Sequence, residues 1–146
     1  MDTNIIKFSD IVLKASEKPR NREAILDVVV RPSITEVLQK AGLDPQQFSA
    51  VDCSIQRFLE LPITHKEEDD SFSCVYYDCC TPHALYRVEC CLTLEPETVA
   101  WDTTLYKLVD YAEGNREWLY FCDGQWEQGP GEDFFDVAEI LFKRTN

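Results

Sequence analysis

The chain has 146 residues, of which 45% are hydrophobic and 28% are charged, a composition typical of a globular protein with a packed core. Its formal net charge of -13 disfavours nonspecific binding to the DNA backbone or to an anionic membrane and favours a basic partner. No apolar stretch approaches the roughly 20 residues that span a bilayer, and the start, Met1 to Asn4, lacks the basic region of a signal peptide. We therefore predict a single domain, residues 1–146, located in the cytoplasm without membrane contact.

Charge, aromatic residues and cysteines are distributed unevenly along the chain. Residues 1–57 carry eight basic and eight acidic side chains, whereas residues 58–146 carry six basic and 19 acidic ones. The second part also holds 15 of the 17 aromatic residues and six of the seven cysteines. We divide the chain into a neutral helical part, residues 1–60, and an acidic, aromatic, β-rich part, residues 61–146, with no Gly/Ser-rich or Pro-rich linker between them.

The first part begins with two helix signals. Ser9 is placed to cap a short helix that ends near Lys18. Asn21 is placed to cap a second helix, which Pro32 would stop because proline lacks an N–H and clashes with the preceding turn. The three valines at 28–30 leave a strand as the alternative for this second segment.

Two further helices are predicted after Pro32. Ser33 and Glu36 have the spacing of a capping box at the start of a helix over 33–41, and Gly42 supplies its end. Asp44 then caps a helix over 45–59, whose first position is Pro45.

The second part has the pattern of an antiparallel meander. Thr81-Pro82-His83 and Asp123-Gly124 indicate turns, and Gly129-Pro130-Gly131 is expected to break the sheet before a last helix that starts at Glu132 and Asp133. The fold class predicted is α+β: about four N-terminal helices packed on a C-terminal antiparallel meander of four to five strands, closed by a C-terminal helix. The predicted strands cover residues 72–79, 85–94, 105–112, 117–122 and 125–127, and the apolar face of the last helix comprises Phe134, Val137, Ile140 and Leu141.

The cysteines suggest a metal site as one hypothesis. Their odd number, together with the lack of an export signal, argues for reduced thiols and against a disulfide framework. Adjacent cysteines in a strand point to opposite faces, and no C-x-x-C motif is present, so we favour thiols packed in the sheet and expect no cofactor. Zinc is the alternative, with candidate ligands Cys74, Cys79, Cys80, His83, Cys90 and Cys91.

No catalytic residue emerges from the sequence. A catalytic thiol needs a base beside it, only His65 and His83 are available, and acidic surroundings would raise a thiol pKa. Gly-rich phosphate-binding loops are absent from the sequence. We therefore predict a non-enzymatic protein and keep a thiol-dependent one as an alternative.

The predicted helices 33–41 and 45–59 have the spacing of a helix-turn-helix, which would place Gln46, Gln47 and Ser49 against bases. Arg57 is the only basic residue of the second helix, which also carries Asp52, so its attraction to phosphates is weak. We prefer a helical hairpin packed on the sheet and keep a DNA-binding regulator as an alternative.

Aromatic and acidic residues alternate in the second part. Aromatic anchors among charges of one sign are typical of a protein-binding face, although alternation with the aromatics in the core is the competing explanation. We predict a regulatory protein that docks a basic partner, in one version an inhibitor or immunity-type protein that mimics nucleic acid. The predicted partner-binding residues are Asp102, Asp110, Glu113, Glu117, Trp118, Tyr120, Asp123, Trp126 and Glu127.

Overall fold

A computed structural model describes residues 4–7, 9–11, 21–60, 71–95, 97–132 and 134–140. Within these ranges, seven strands form one sheet in the order β2-β3-β4-β5-β6-β7, with β1 paired to β5. Every pairing is antiparallel. The strands are β1 (Asn4–Lys7), β2 (Ser49–Ala50), β3 (Ser71–Cys80), β4 (Ala84–Leu94), β5 (Thr98–Val109), β6 (Glu117–Cys122) and β7 (Gln125–Glu132).

The hairpin of β3 and β4 is the centre of the sheet and confirms the predicted strands 72–79 and 85–94. Its register runs without interruption from Ser71 opposite Leu94 to Cys80 opposite Leu85. Thr81 closes the turn, because its N–H donates to the Ala84 carbonyl at 2.9 Å and its hydroxyl accepts the Ala84 N–H at 3.0 Å. The predicted strand 117–122 and the turn after it are also confirmed.

A continuous helical stretch packs on the sheet. It consists of α1 (Asn21–Ile25), a π-helical turn (Leu26–Val30) and α2 (Arg31–Lys40). The predicted stop at Pro32 is wrong, because this proline lies in the first turn of α2, where a missing N–H costs least, and the wide π-helical turn before it makes room for the ring. The predicted capping box is wrong as well, since α2 has no side-chain cap.

The predicted helix 45–59 is broken into three pieces. Asp44 does cap, accepting the Gln46 N–H at 3.0 Å, but it begins only a 3-10 turn, Pro45–Gln47. The chain then enters β2, and α3 (Asp52–Leu59) follows. The edge of the sheet captures this segment, because the Val51 N–H donates to the Tyr76 carbonyl at 2.9 Å. The second helix of the expected helix-turn-helix is therefore not formed.

The predicted fold class is wrong. About four N-terminal helices on a C-terminal meander of four to five strands were expected, but the first part of the chain supplies strands β1 and β2 to the same sheet. Gly129-Pro130-Gly131 continues β7 and does not break it, because a register shift between Trp118 and Leu119 accommodates the segment. The third strand starts at Thr98, not at residue 105.

Helix signals at both ends of the chain are only partly covered by the structure. Residues 9–11 are helical, whereas the remainder of the helix predicted from Ser9 lies outside the described residues. At the C-terminal end residues 137–140 are helical, and Leu141 lies outside the described residues. None of the described helices is both long and apolar enough to cross a membrane.

Two clusters of buried side chains lie on the two faces of the sheet. The helix face, which α1, α2 and α3 cover, carries the larger cluster, including Ile25, Leu38, Phe58 and Val88. The opposite face is covered at one end by residues 134–140. This smaller cluster contains Leu85, Leu108, Trp118, Phe135, Val137 and Ile140.

Candidate functional site

The strand register decides which side chains reach the opposite face. Side chains alternate between faces along each strand, and partners opposite each other share a face. Cys91 is opposite Asp102, Glu89 is opposite Thr104, and Tyr120 is opposite both Tyr106 on β5 and Glu127 on β7. The acidic face, as we call it, is the part of the opposite face formed by Glu89, Asp102, Tyr106, Tyr120, Asp123 and Glu127.

The predicted partner-binding residues fall into two groups at the two ends of β6. Asp102, Tyr120, Asp123 and Glu127 belong to the acidic face. At the other end, Asp110 and Glu113 follow β5 and Glu117 starts β6, and all three are exposed. The structure therefore does not bring the predicted set together as one surface.

The two predicted tryptophans lie elsewhere. Trp118 is 0% exposed and its ring packs edge-on against Phe135, with centroids 5.3 Å apart. Trp126 is half-buried on the helix face, where the Lys107 Nζ lies 4.1 Å from its ring centroid. Neither residue is part of the acidic face, because alternation places Trp118 in the core and Trp126 on the other side of the sheet.

Sequence reasoning missed Glu89. The register of the hairpin was the signal that could have found it, since the turn at Thr81 fixes which residues of β3 and β4 are opposite each other. Glu89 faces Tyr76 on one side and Thr104 on the other, which places its carboxylate in the middle of the sheet beside Asp102.

The acidic face is electrostatically negative. Burial, followed by the charge of Glu89, raises the pKa of Tyr106 to about 12. The charge of Glu127 raises the pKa of Tyr120, and burial together with Asp123 raises the pKa of the Cys122 thiol. Each shift disfavours a further negative charge, because several carboxylates act on the same small area. Among the described residues, the ion pairs found involve none of these carboxylates.

A cleft of about 610 Å³ adjoins the acidic face where the sheet opens. Beyond Tyr106 and Lys107, which pair with β6, the two strands β5 and β6 diverge. The cleft lies in this gap, between α2 and the turn that joins β6 to β7. It is lined by Val37, Lys40, Thr103, Leu105, Phe121, Cys122, Asp123 and Gly124.

The six predicted metal ligands do not converge. Cys79 and Cys90 are buried on the helix face, at 5% and 0% exposed, while the neighbouring Cys80 and Cys91 point to the opposite face. The sulfur of Cys80 lies 3.6 Å from the Tyr111 hydroxyl, and His83 is exposed in the turn. Each adjacent cysteine pair thus contributes one side chain to each face, as alternation predicts.

Two of these cysteines do meet, together with Glu89. The sulfurs of Cys74 and Cys91 are 2.7 Å apart across β3 and β4. One Glu89 carboxylate oxygen lies within 4.8 Å of both sulfurs, and all three side chains are half-buried. A hydrogen bond from Cys91 lowers the pKa of the Cys74 thiol, and the same hydrogen bond raises the pKa of the Cys91 thiol.

No protein-family model, curated protein or solved structure matches the chain. Its function is therefore inferred from the chemistry of the acidic face, the cleft and the cysteine pair.

Proposed function

We propose that this chain is a non-enzymatic binding protein that docks a basic protein through the acidic face. The observation that carries the proposal is that Glu89, Asp102, Asp123 and Glu127 share one surface and take part in none of the ion pairs formed among the described residues. A cationic partner would relieve the repulsion between these carboxylates, and their common charge would accelerate the encounter.

Tyr106 and Tyr120 supply the contact area of this surface. Both are half-buried, so one side of each ring is held by the sheet while the other is accessible. Tyrosine loses little side-chain entropy on binding and is enriched among the residues that dominate interface energies. Tyrosines surrounded by carboxylates favour a specific protein partner over a diffuse cloud of cations.

The cleft beside β6 suits a long basic side chain of the partner. Leu105 and Phe121 form apolar walls, and Asp123 supplies a carboxylate. A lysine or arginine places its aliphatic stem along apolar surface while its charged end reaches a polar rim. Lys40 also lines the cleft, but its ammonium is 3.0 Å from Glu36, which offsets its charge.

A protein that normally binds nucleic acid is the partner class that this surface fits best. Such proteins present clustered lysine and arginine side chains to phosphates, and carboxylates fixed on a sheet can occupy the same positions. This is the inhibitor or immunity-type version of the proposal. We place the protein in the cytoplasm, because all seven cysteines are free and reducing compartments keep thiols in that state.

Affinity capture with three forms of the protein tests the proposal. The face variant carries Glu89→Gln, Asp102→Asn and Glu127→Gln. The control variant removes the same number of charges from exposed positions in helical segments, with Asp10→Asn, Glu23→Gln and Asp52→Asn. Each immobilised form is exposed to an extract of the native host, and the retained proteins are identified.

The proposal predicts a basic protein that wild type and the control variant retain and that the face variant loses. Its release should require added salt, because screening weakens exposed charge interactions. Equal retention by all three forms would contradict the proposed surface, and retention that does not respond to salt would contradict mimicry of nucleic acid.

A further inference from the structure

The cysteine pair on the opposite face has the geometry of a disulfide that has not yet closed. Cys74 and Cys91 are directly opposite in the register of β3 and β4, with their sulfurs 2.7 Å apart. Two sulfurs in ordinary nonbonded contact lie farther apart than this, whereas a disulfide bond measures about 2.05 Å. The pair therefore needs only a small movement to bond.

The backbone at this position also suits a cross-strand disulfide. The Tyr76 N–H donates to the Ser54 hydroxyl at 3.1 Å and its carbonyl accepts from the Val51 N–H at 2.9 Å, so both groups point away from β4. Tyr76 and Glu89 are thus a pair that exchanges no backbone hydrogen bonds, and so are Cys74 and Cys91 two residues along. Such pairs have Cα atoms about 4.5 Å apart, inside the roughly 4.4–6.8 Å that disulfides span.

We propose that Cys74 and Cys91 form a redox-active dithiol that exchanges with small disulfides, preferentially positively charged ones, and closes a disulfide between β3 and β4. This inference is independent of the proposed function, since it requires no protein partner.

The exchange proceeds in two steps. The Cys74 thiolate attacks one sulfur of a small disulfide, RSSR, forming a mixed disulfide and releasing one thiolate, RS⁻. Cys91 then gives up its proton and attacks the Cys74 sulfur, which forms the protein disulfide and releases the second RS⁻. The protons of the two cysteines are taken up by the two released thiolates. The dithiol is thus oxidised by two electrons while RSSR is reduced to two RSH.

The order of attack follows from the hydrogen bond between the two thiols. Because that bond lowers the pKa of Cys74 and raises the pKa of Cys91, Cys74 is the thiolate and Cys91 the proton-bearing resolving partner. The charge of Arg57 acts in the same direction on Cys74.

The preference for cationic disulfides follows from the neighbouring carboxylates. Glu89 lies beside both sulfurs, and Asp102 is directly opposite Cys91 on β5. A positively charged disulfide is concentrated at such a site, whereas an anionic one is repelled.

Zinc is the competing occupant of Cys74, Glu89 and Cys91. Two thiolates on one tetrahedral zinc ion, with bonds of about 2.3 Å, would have sulfurs about 3.7 Å apart. The observed 2.7 Å is nearer to a disulfide than to that value. Only three ligands gather among the described residues, and a structural zinc site needs four.

Peptide mapping of the intact chain tests the proposal. The reduced protein is treated with cystamine, a cationic disulfide, or with oxidised glutathione, an anionic one, and is then blocked and digested without reductant. We expect a cross-link between Cys74 and Cys91 that lowers the mass by two hydrogen atoms. The rate with cystamine should exceed that with oxidised glutathione by on the order of tenfold at low salt, and Glu89→Gln with Asp102→Asn should reduce this ratio.

Cys74→Ser should abolish the cross-link, while Cys53→Ser, at an exposed position in α3, should leave it unchanged. Circular dichroism verifies that each variant folds, and the mapping of wild type stands without any variant. Cross-links confined to other cysteines, or a persistent mixed disulfide on Cys74, would overturn the proposal. So would purification with one stoichiometric zinc ion that blocks the exchange until a chelator removes it.

Discussion

Arg87 and Asp78 face each other across β4 and β3, and the guanidinium donates two hydrogen bonds to the carboxylate at 2.8 and 2.9 Å. Both side chains are buried, at 7% and 5% exposed. The guanidinium carbon also lies 4.5 Å from the Tyr76 ring centroid and 4.9 Å from that of Phe135. Burial alone would lower the pKa of Arg87, but its bonds to Asp78 raise it overall. This pair fixes the C-terminal segment around Phe135 to the sheet.

Asp78→Ala should therefore destabilise the protein strongly, because it leaves the charge of Arg87 buried without its partner. We expect a loss of about 3–5 kcal/mol in the free energy of unfolding, measured by urea denaturation. Glu36→Gln is the matched control, since it breaks an exposed pair with Lys40 worth less than about 1 kcal/mol. The double variant Asp78→Leu with Arg87→Met should recover most of the loss. A loss below about 1 kcal/mol for Asp78→Ala would contradict this account.

Gly129→Ala tests the close approach of β7 to β6. A Cβ at this position would lie 2.5 Å from the Trp118 carbonyl oxygen, which belongs to the backbone and cannot move alone. We expect a loss of about 1–3 kcal/mol in unfolding free energy. Gly124→Asn is the control, because nothing lies near the added Cβ and asparagine tolerates the left-handed conformation found there. Similar stability of Gly129→Ala and wild type would show that the two strands are not in this contact.

Cys90 makes the stability of the protein depend on alkaline pH. Burial, above all, raises the pKa of its thiol to about 12, and the charges of Asp102 and Glu89 act in the same direction. A pKa raised in the folded state contributes stability that is complete below the unfolded pKa of about 8.5 and is lost as the pH rises towards 12.

Cys90→Ala should be less stable than wild type at neutral pH, by roughly 1–2 kcal/mol for the lost packing. This gap should narrow as the pH rises from about 8 to about 11, because only wild type loses the protonated thiol. Urea denaturation across this range measures the gap, and Cys53→Ser, which is exposed, should show no such trend. A gap that stays constant would contradict the raised pKa of Cys90.

The sequence predicted the central hairpin because local signals suffice there. β3 and β4 consist of strand-forming residues around a turn that Thr81 closes by itself. The same hairpin determines that Cys74 meets Cys91, so this part of the site was within reach of sequence reasoning. What was missing was the register that also places Glu89 there.

Strands β1 and β2 could not be predicted, because their pairing depends on distant parts of the chain. Ser49 and Ala50 pair with Asp78 and Tyr77, and they lie in a segment whose apolar residues recur at helical spacing. Tertiary hydrogen bonds overrode that local preference. Likewise, Pro32 continues a helix only because a π-helical turn precedes it, and no sequence pattern announced that turn.

The most direct measurement of the central claim is the binding of a fluorescently labelled lysine-rich peptide to wild type, the face variant and the control variant between about 0.1 M and 1 M salt. The control variant differs from wild type in net charge as much as the face variant does, so only the position of the charges differs. We predict that wild type and the control variant bind alike at low salt, that the face variant binds at least about tenfold more weakly, and that salt removes the difference. Equal weakening in the two variants would show that only net charge matters and would contradict the acidic face as the docking surface.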